Sequence, residues 1–293
     1  NCEVGFYTNA FIAATECLQC PDGFISEKQS TECDECDKGK WADSRQRCVD
    51  CQKGKYGDEL HQILESSCKN CPAGKWSDVS SATTVLTCNN CPAGRFNKNT
   101  GETTLDNCLI CQAGKIANQG EGAIACIDCP DGFISDKESI SCNECRVGKW
   151  ADNKQRCVDC AKGKYGDQEH QISKLSCKDC PAGKWDNTLA SSTILSCKNC
   201  PSGRFNKNMG ESNPDNCLLC QAGKYSEFSE GSTRCINCPD GFVSIMESTM
   251  CNECEKGKWA DNRQRCVACV KGKYGEQEHQ ISKLSCIDCP AGK

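Results

Sequence analysis

The sequence predicts a small disulfide-rich repeat array, an elongated rod or solenoid of short two-stranded ribbons and irregular loops with little or no helix. Three observations carry this. The chain of 293 residues contains 33 cysteines, a density that marks a disulfide scaffold. Those cysteines form 16 complete C-x-x-C motifs. The motif pattern repeats every 109 residues, as at Cys20, Cys129 and Cys238, and self-similarity at fixed period is the signature of a repeat architecture.

Within one period the cysteine-free loops run 12, 11, 16, 16, 16 and 14 residues. Six modules therefore make one super-repeat. The chain divides into 1–19, the end of one super-repeat; 20–128 and 129–237, two complete ones; and 238–293, the start of another. Asn1-Cys2 aligns with Ile110-Cys111, and Cys289-Pro290-Ala291-Gly292-Lys293 with the run after Cys180. Both ends are expected to cut through a longer polypeptide. From Pro130 to Lys184 against Pro239 to Lys293, 43 of 55 positions are identical, without insertions.

Each module opens with Cys-x-x-Gly-x-Φ, where Φ is apolar. Glycine holds that place in all 17 openings, from Gly5 to Gly292, which predicts a tight turn with positive φ or a close backbone approach. The Φ position carries Tyr7, Ile25, Trp41, Tyr56, Trp76, Phe96 and Ile116 in turn, and it holds all five Trp and all five Tyr. An aromatic beside a disulfide is the expected core of so small a unit, which cannot fold alone and gains from stacking on its neighbours. Leu86, Leu175, Leu195 and Leu284, each two residues before a closing cysteine, are expected to fold back over the aromatics. Short β-branched runs among Pro, Gly, Asn and Asp leave room only for brief ribbons.

Parity suggests the sulfur pairing. If the first cysteine of each motif closes one loop and the second opens the next, the pairs are Cys2–Cys17, Cys20–Cys33, Cys36–Cys48, Cys51–Cys68, Cys71–Cys88, Cys91–Cys108, Cys111–Cys126 and Cys129–Cys142. They continue as Cys145–Cys157, Cys160–Cys177, Cys180–Cys197, Cys200–Cys217, Cys220–Cys235, Cys238–Cys251, Cys254–Cys266 and Cys269–Cys286, leaving Cys289 for a partner beyond the segment. Spacing alone leaves an interleaved pairing and thiolate–zinc sites as alternatives.

Cys71-Pro-Ala-Gly-Lys-Trp76, Cys91-Pro-Ala-Gly-Arg-Phe96 and Cys220-Gln-Ala-Gly-Lys-Tyr225 resemble the cysteine-rich repeats of the ephrin-receptor-like and TNF-receptor-like class, as found in large protist and algal surface proteins. The resemblance covers the whole chain. It implies an extended extracellular rod with loop-closing disulfides of the kind paired above. Modules with interleaved pairs, present in TNF receptors, have no counterpart in the two-cysteine form seen throughout.

No nucleophile–base pair, calcium loop or phosphate-binding loop can be assembled, so neither catalysis nor a cofactor is expected. His61, His170 and His279 share one repeat position and read as a polar loop residue copied by duplication. The residue after the signature glycine is Lys or Arg in 13 of 17 openings and Phe in Phe6, Phe24, Phe133 and Phe242. This cationic ladder could meet an acidic polysaccharide, although a net charge of −5 favours a mixed solvated surface. Nucleic acid is not an expected partner, and no apolar run is long enough to insert this segment in a membrane. There is no Asn-x-Ser/Thr acceptor; Ser80 to Thr87 and Ser191 to Ser196 could carry O-linked glycans.

The expected function is a structural component of an extracellular fibre, stalk or surface coat, secreted or at the cell surface. Its partners would be further copies or neighbouring fibre subunits. The alternative is a receptor or adhesin ectodomain for a protein or glycan ligand, which predicts modules unlike their copies. Asn9 to Ala14 and Ile245-Met246 do differ between copies.

Overall fold

The computed structural model describes residues 1–8 and 16–290, so the segment from Asn9 to Ala14 lies outside the described residues. The chain forms two compact units, Asn1–Asn143 with Asn153–Arg156 and Glu144–Asp152 with Cys157–Lys293. Sixteen disulfides join the two ends of successive loops, from Cys2–Cys17 to Cys269–Cys286. We number the modules 1 to 16 by these bonds. Cys289 is a free, exposed thiol.

Module 5, closed by Cys71–Cys88, shows how the signature folds. The Lys75 amide donates to the Pro72 carbonyl at 3.1 Å, closing a β-turn with Gly74 at its third position and φ +80°. A side chain there would be strained, because the left-handed region costs an L-residue roughly 1–2 kcal/mol. The turn releases Lys75-Trp76 into an antiparallel pair with Asn89-Asn90. These are the centre of the next C-x-x-C, so each motif is both the end of one ribbon and the hinge into the next module. The Cys91 amide donates back to the Gly74 carbonyl at 2.8 Å. The same register recurs in module 4 (Lys55-Tyr56 with Lys69-Asn70), module 6 (Arg95-Phe96 with Leu109-Ile110) and module 12 (Arg204-Phe205 with Leu218-Leu219).

Among the described residues, helical structure is limited to three-residue 3-10 turns before closing cysteines, such as Val85–Thr87 and Ile194–Ser196. Thr84 and Thr193 cap them, their hydroxyls accepting from the amides of Leu86 and Leu195. These turns overturn one expectation. Leu86, Leu175, Leu195 and Leu284 are 85–86% exposed, pointing into solvent rather than back over the aromatics. The middle residue of such a turn projects away from the ribbon that precedes it, and spacing from the cysteine does not encode that direction.

Cover for the aromatics comes from the following module. Tyr56 forms a parallel bridge with Ala82, Trp76 with Glu102, Phe96 with Ala123 and Phe205 with Ser232. The aromatics themselves are mostly half-buried, Tyr165 being the buried exception. The deepest apolar groups are the opening half-cystines, among them Cys71, Cys91, Cys111 and Cys180 at 0% exposure. The core is thus chiefly sulfur, with aromatics at its margin, which corrects the expectation of an aromatic-centred module.

The third residue after the signature glycine is short in every module: Ser26, Ala42, Gly57, Ser77, Asn97, Ala117 and so on to Gly275. Most of these side chains are buried. Their backbone carries the junction. In module 5 the Ser77 carbonyl accepts from the Gly54 amide of module 4 at 2.8 Å, while the Ser77 amide donates to Glu102 of module 6 at 3.0 Å. A larger side chain at that point would hold neighbouring backbones too far apart for both bonds.

Among the described residues, each loop from module 2 on also has one residue or residue pair in the left-handed conformation at its tip, including Ser81, Gly101, Gly122, Ala190 and Gly210. The tip amide bonds the opening cysteine of the module before: Ser81 to the Cys51 carbonyl and Gly101 to Cys71, both at 2.9 Å. The tip backbone then sits on the signature glycine two modules back. A Cβ built on Gly74 would lie 2.1 Å from the Gly122 carbonyl oxygen, and one on Gly54 2.2 Å from that of Gly101. The second unit repeats this seat, with Gly163 under Gly210 and Gly183 under Gly231 at 2.1 Å.

Replacing Gly74 by Ala is expected to unseat the Gly122 tip and weaken that junction by more than about 2 kcal/mol, combining backbone strain with overlap. Leu86→Ala, at an exposed site, should change it by less than about 0.5 kcal/mol. Hydrogen exchange of the Gly122 amide, compared in the two variants with disulfides intact, checks this; equal effects would count against the seat.

Candidate functional site: the repeating inter-module surface

What the array offers a partner is set by side chains around these seats. In four modules the residue after the signature glycine meets the loop tip two modules on. Arg95 pairs with Glu138, and Arg204 with Glu247 at 2.7 Å. At Phe24 and Phe242, where Phe replaces the cation, the tip is histidine: Phe24 stacks on His61 at 5.1 Å between ring centroids and Phe242 on His279 at 4.8 Å. Each histidine also reaches a carboxylate through Nε2, His61 to Glu35 at 2.8 Å and His279 to Glu253 at 2.7 Å. The histidine is therefore a tip residue whose ring clasps the junction.

The cationic ladder is largely neutralised by carboxylates. Across the ribbons Lys115 meets Asp128 at 2.9 Å, Lys164 meets Asp179 at 2.6 Å and Lys273 meets Asp288 at 3.1 Å. The Lys115 interaction holds the Asp128 carboxyl below its usual range. The shortest loops add another recurrent clasp: Arg45 to Asp22, Lys154 to Asp131 at 3.2 Å and Arg263 to Asp240 at 2.6 Å. Arg45 and Lys154 also donate to the Cys20 and Cys129 carbonyls, replacing the tip-amide bond of the longer loops. All are solvent-exposed pairs of small individual worth.

One buried carboxylate stands apart. Asp186 occupies the short-residue position of module 11, where module 5 has Ser77, and it is 0% exposed. Its oxygens accept from the Thr188 amide and hydroxyl at 2.9 and 2.6 Å and from the Ser191 hydroxyl at 2.5 Å. Burial pushes the carboxyl up, but these donors, with Lys198 nearby, outweigh it and hold Asp186 below its usual 3.8.

For a metal, Glu144, Glu169 and His170 are the one set among the described residues whose ligand atoms lie within 4.8 Å of one another. The set is exposed, and the first copy has Leu60 where Glu169 stands. The half-cystines, by contrast, are joined in sulfur–sulfur pairs inside the modules and shape the loops. Missing from the sequence reading were the short residue after Φ, visible in the sequence as an unbroken column, and the loop tip.

Residues 148–194, which run from the signature glycine of module 9 into module 11, match the family described as tyrosine-protein kinase ephrin type A/B receptor-like. The repeats are similar to ephrin-receptor-like cysteine-rich modules. No curated protein matches the chain. Together with the disulfide ladder, this ephrin-receptor-like character points to an extracellular ectodomain, and the repeat family is not itself catalytic. Among the described residues no helix is long and apolar enough to cross a membrane.

Asp186 generates a pH prediction. Because its folded value is depressed, its contribution is present above the unfolded value near 3.8 and is lost as pH falls through the lower folded value. Protection of the 186–191 loop should therefore collapse in acid in the native chain. Asp186→Ser, which restores the residue of module 5, should flatten that dependence. Hydrogen exchange between pH 6 and pH 2.5 reads both; identical profiles would refute the assignment.

Proposed function

We propose that the chain is a stiff structural segment of an extracellular fibre, stalk or surface coat. The observation that supports this best is the seat itself. Tips such as Ser81, Gly101, Gly122 and Gly210 tie their module to the one before through a cysteine carbonyl and to the one before that through a bare glycine. Bending at any junction disturbs two sets of contacts, so the array resists flexing without a large core. Contacts that reach no further than two modules favour extension in a line, and self-association with further copies is the natural way to build such a fibre. Binding of an acidic polysaccharide along the ladder is the weaker proposal, since most of its cations already face carboxylates.

A second reading, a receptor or adhesin, draws on module 14. Ile245 and Met246 stand there in place of Asp136 and Lys137; Ile245 is 74% exposed and Met250 lies nearby in the same loop, also exposed. An apolar pair where the copies carry Glu27-Lys28 and Asp136-Lys137 is what a ligand-specific site would require.

Small-angle scattering of the isolated segment separates a rod from a globule. The fibre reading expects an extended particle with a cross-section one module wide. A radius of gyration near the ~19 Å of a compact single domain of this length would refute it. Ligand capture abolished by Ile245→Asp and Met246→Lys, with the rod unchanged, would favour the receptor reading.

A further inference from the structure

His170 has surroundings that a copied loop residue does not need. Its Nε2 lies 2.7 Å from Glu144 Oε1. Glu169, the residue before it, brings a second carboxylate, so that three ligand atoms gather within 4.8 Å of one another. Backbone holds both sides of this cluster. Glu144 sits inside Cys142-Asn-Glu-Cys145, whose cysteines belong to the disulfides of modules 8 and 9. His170 is the left-handed tip of module 10, with φ +57°. The carbonyl of the next residue, Gln171, accepts from the Ala151 amide at 2.7 Å. All three side chains are exposed, which leaves an ion a path in, and Glu169 has no cationic partner among the described residues.

The donor chemistry selects the ion. One imidazole with two carboxylates suits a borderline divalent cation, and zinc takes such nitrogen and oxygen ligands at about 2.0–2.2 Å in tetrahedral geometry. Calcium and magnesium prefer oxygen ligands alone. Tetrahedral ligands at zinc distances stand roughly 3.4 Å apart, so the exposed carboxylates need only close by rotating their own side chains. We propose that Glu144, Glu169 and His170 bind Zn²⁺, with water completing the shell. Binding is an exchange: the proton between Nε2 and Glu144 leaves to solvent and the ion takes its place. The existing pair therefore supplies ligands instead of competing for them. The array carries its own comparison. His61 meets Glu35 at 2.8 Å in the first copy, but Leu60 stands where Glu169 does, which leaves two donors. The third copy keeps Glu253, Glu278 and His279, with 2.7 Å between His279 and Glu253. Zinc at His170 would join the hinge between modules 8 and 9 to the tip of module 10, bracing three modules at one point. The site goes beyond the fibre reading and holds for a fibre and a receptor alike.

The test follows the Ala151 amide by residue-resolved hydrogen exchange in the full, fully bridged chain during titration with zinc chloride. Cys289→Ser, used throughout, removes the free thiol as a competing ligand. Zinc should slow Ala151 saturably. It should leave Ala42 unchanged, whose amide donates to the Gln62 carbonyl beside His61 at 2.8 Å. Glu169→Leu, which installs the residue of the first copy, should weaken the zinc effect roughly tenfold or more, since losing even a group that only orients a metal ligand costs that much. Leu60→Glu should create the effect at Ala42. Both positions are exposed, so disulfide pairing and zinc-free exchange should match the native chain. Magnesium in place of zinc should leave Ala151 as it was. Zinc that does not slow Ala151, that slows Ala42 equally, or that acts undiminished on the Glu169→Leu chain would overturn the proposal. So would a Leu60→Glu chain whose Ala42 amide stays indifferent to zinc.

Discussion

A signature glycine with no side chain and a left-handed backbone is the constraint on which the rest of the array depends. The turn it allows sends the ribbon back to the next cysteine pair, as Gly74 does for Lys75-Trp76. The open face it leaves is then filled by backbone from two modules on, as by Gly122. One residue therefore meets a local requirement and a long-range one. Alanine would satisfy neither, which is why composition, spacing and stacking converge on glycine at this single position.

Disulfides and stacking divide the work between two scales. Each sulfur bridge closes a loop of 12 to 17 residues in sequence separation, for which the chain-entropy model gives roughly 3 kcal/mol. That holds a module together but says nothing about its neighbour. Order between modules comes from backbone hydrogen bonds through short buried residues such as Ser77 and Ala42 and from the tip seats. Exposed ion pairs such as Lys154–Asp131 add register more than energy. The outcome is a chain whose stability is a sum of local terms, as expected of a repeat protein.

Much of this was legible in the sequence because it is local. Cysteine spacing, the glycine column and the lack of long apolar runs foretold a repeat array of two-stranded ribbons, and the aromatics at Φ do lie at the module junctions. The direction of Leu86 and Leu195 was not legible, since distance from a cysteine does not say which side of a 3-10 turn a residue takes. Nor was the role of His61, whose partners Phe24 and Glu35 sit in other modules. The pairing of Gly74 with Gly122 depends on how three successive loops curve, which no pattern within one loop records. Asp186 was hidden for a different reason: as one of many acidic residues it is unremarkable until its neighbours Thr188 and Ser191 are seen to enclose it.

Within each unit, order from module to module is carried by many equivalent weak seats. The most direct measurement of that claim is residue-resolved hydrogen exchange on the native, fully bridged chain, directed at the tip amides of Ser81, Gly101, Gly122 and Gly210 that donate to cysteine carbonyls. The account predicts protection comparable to ribbon amides such as Cys91 and Cys200. Exchange at the rate of free loops, with every disulfide intact, would mean that the modules are merely strung together and that the seat does not order the array.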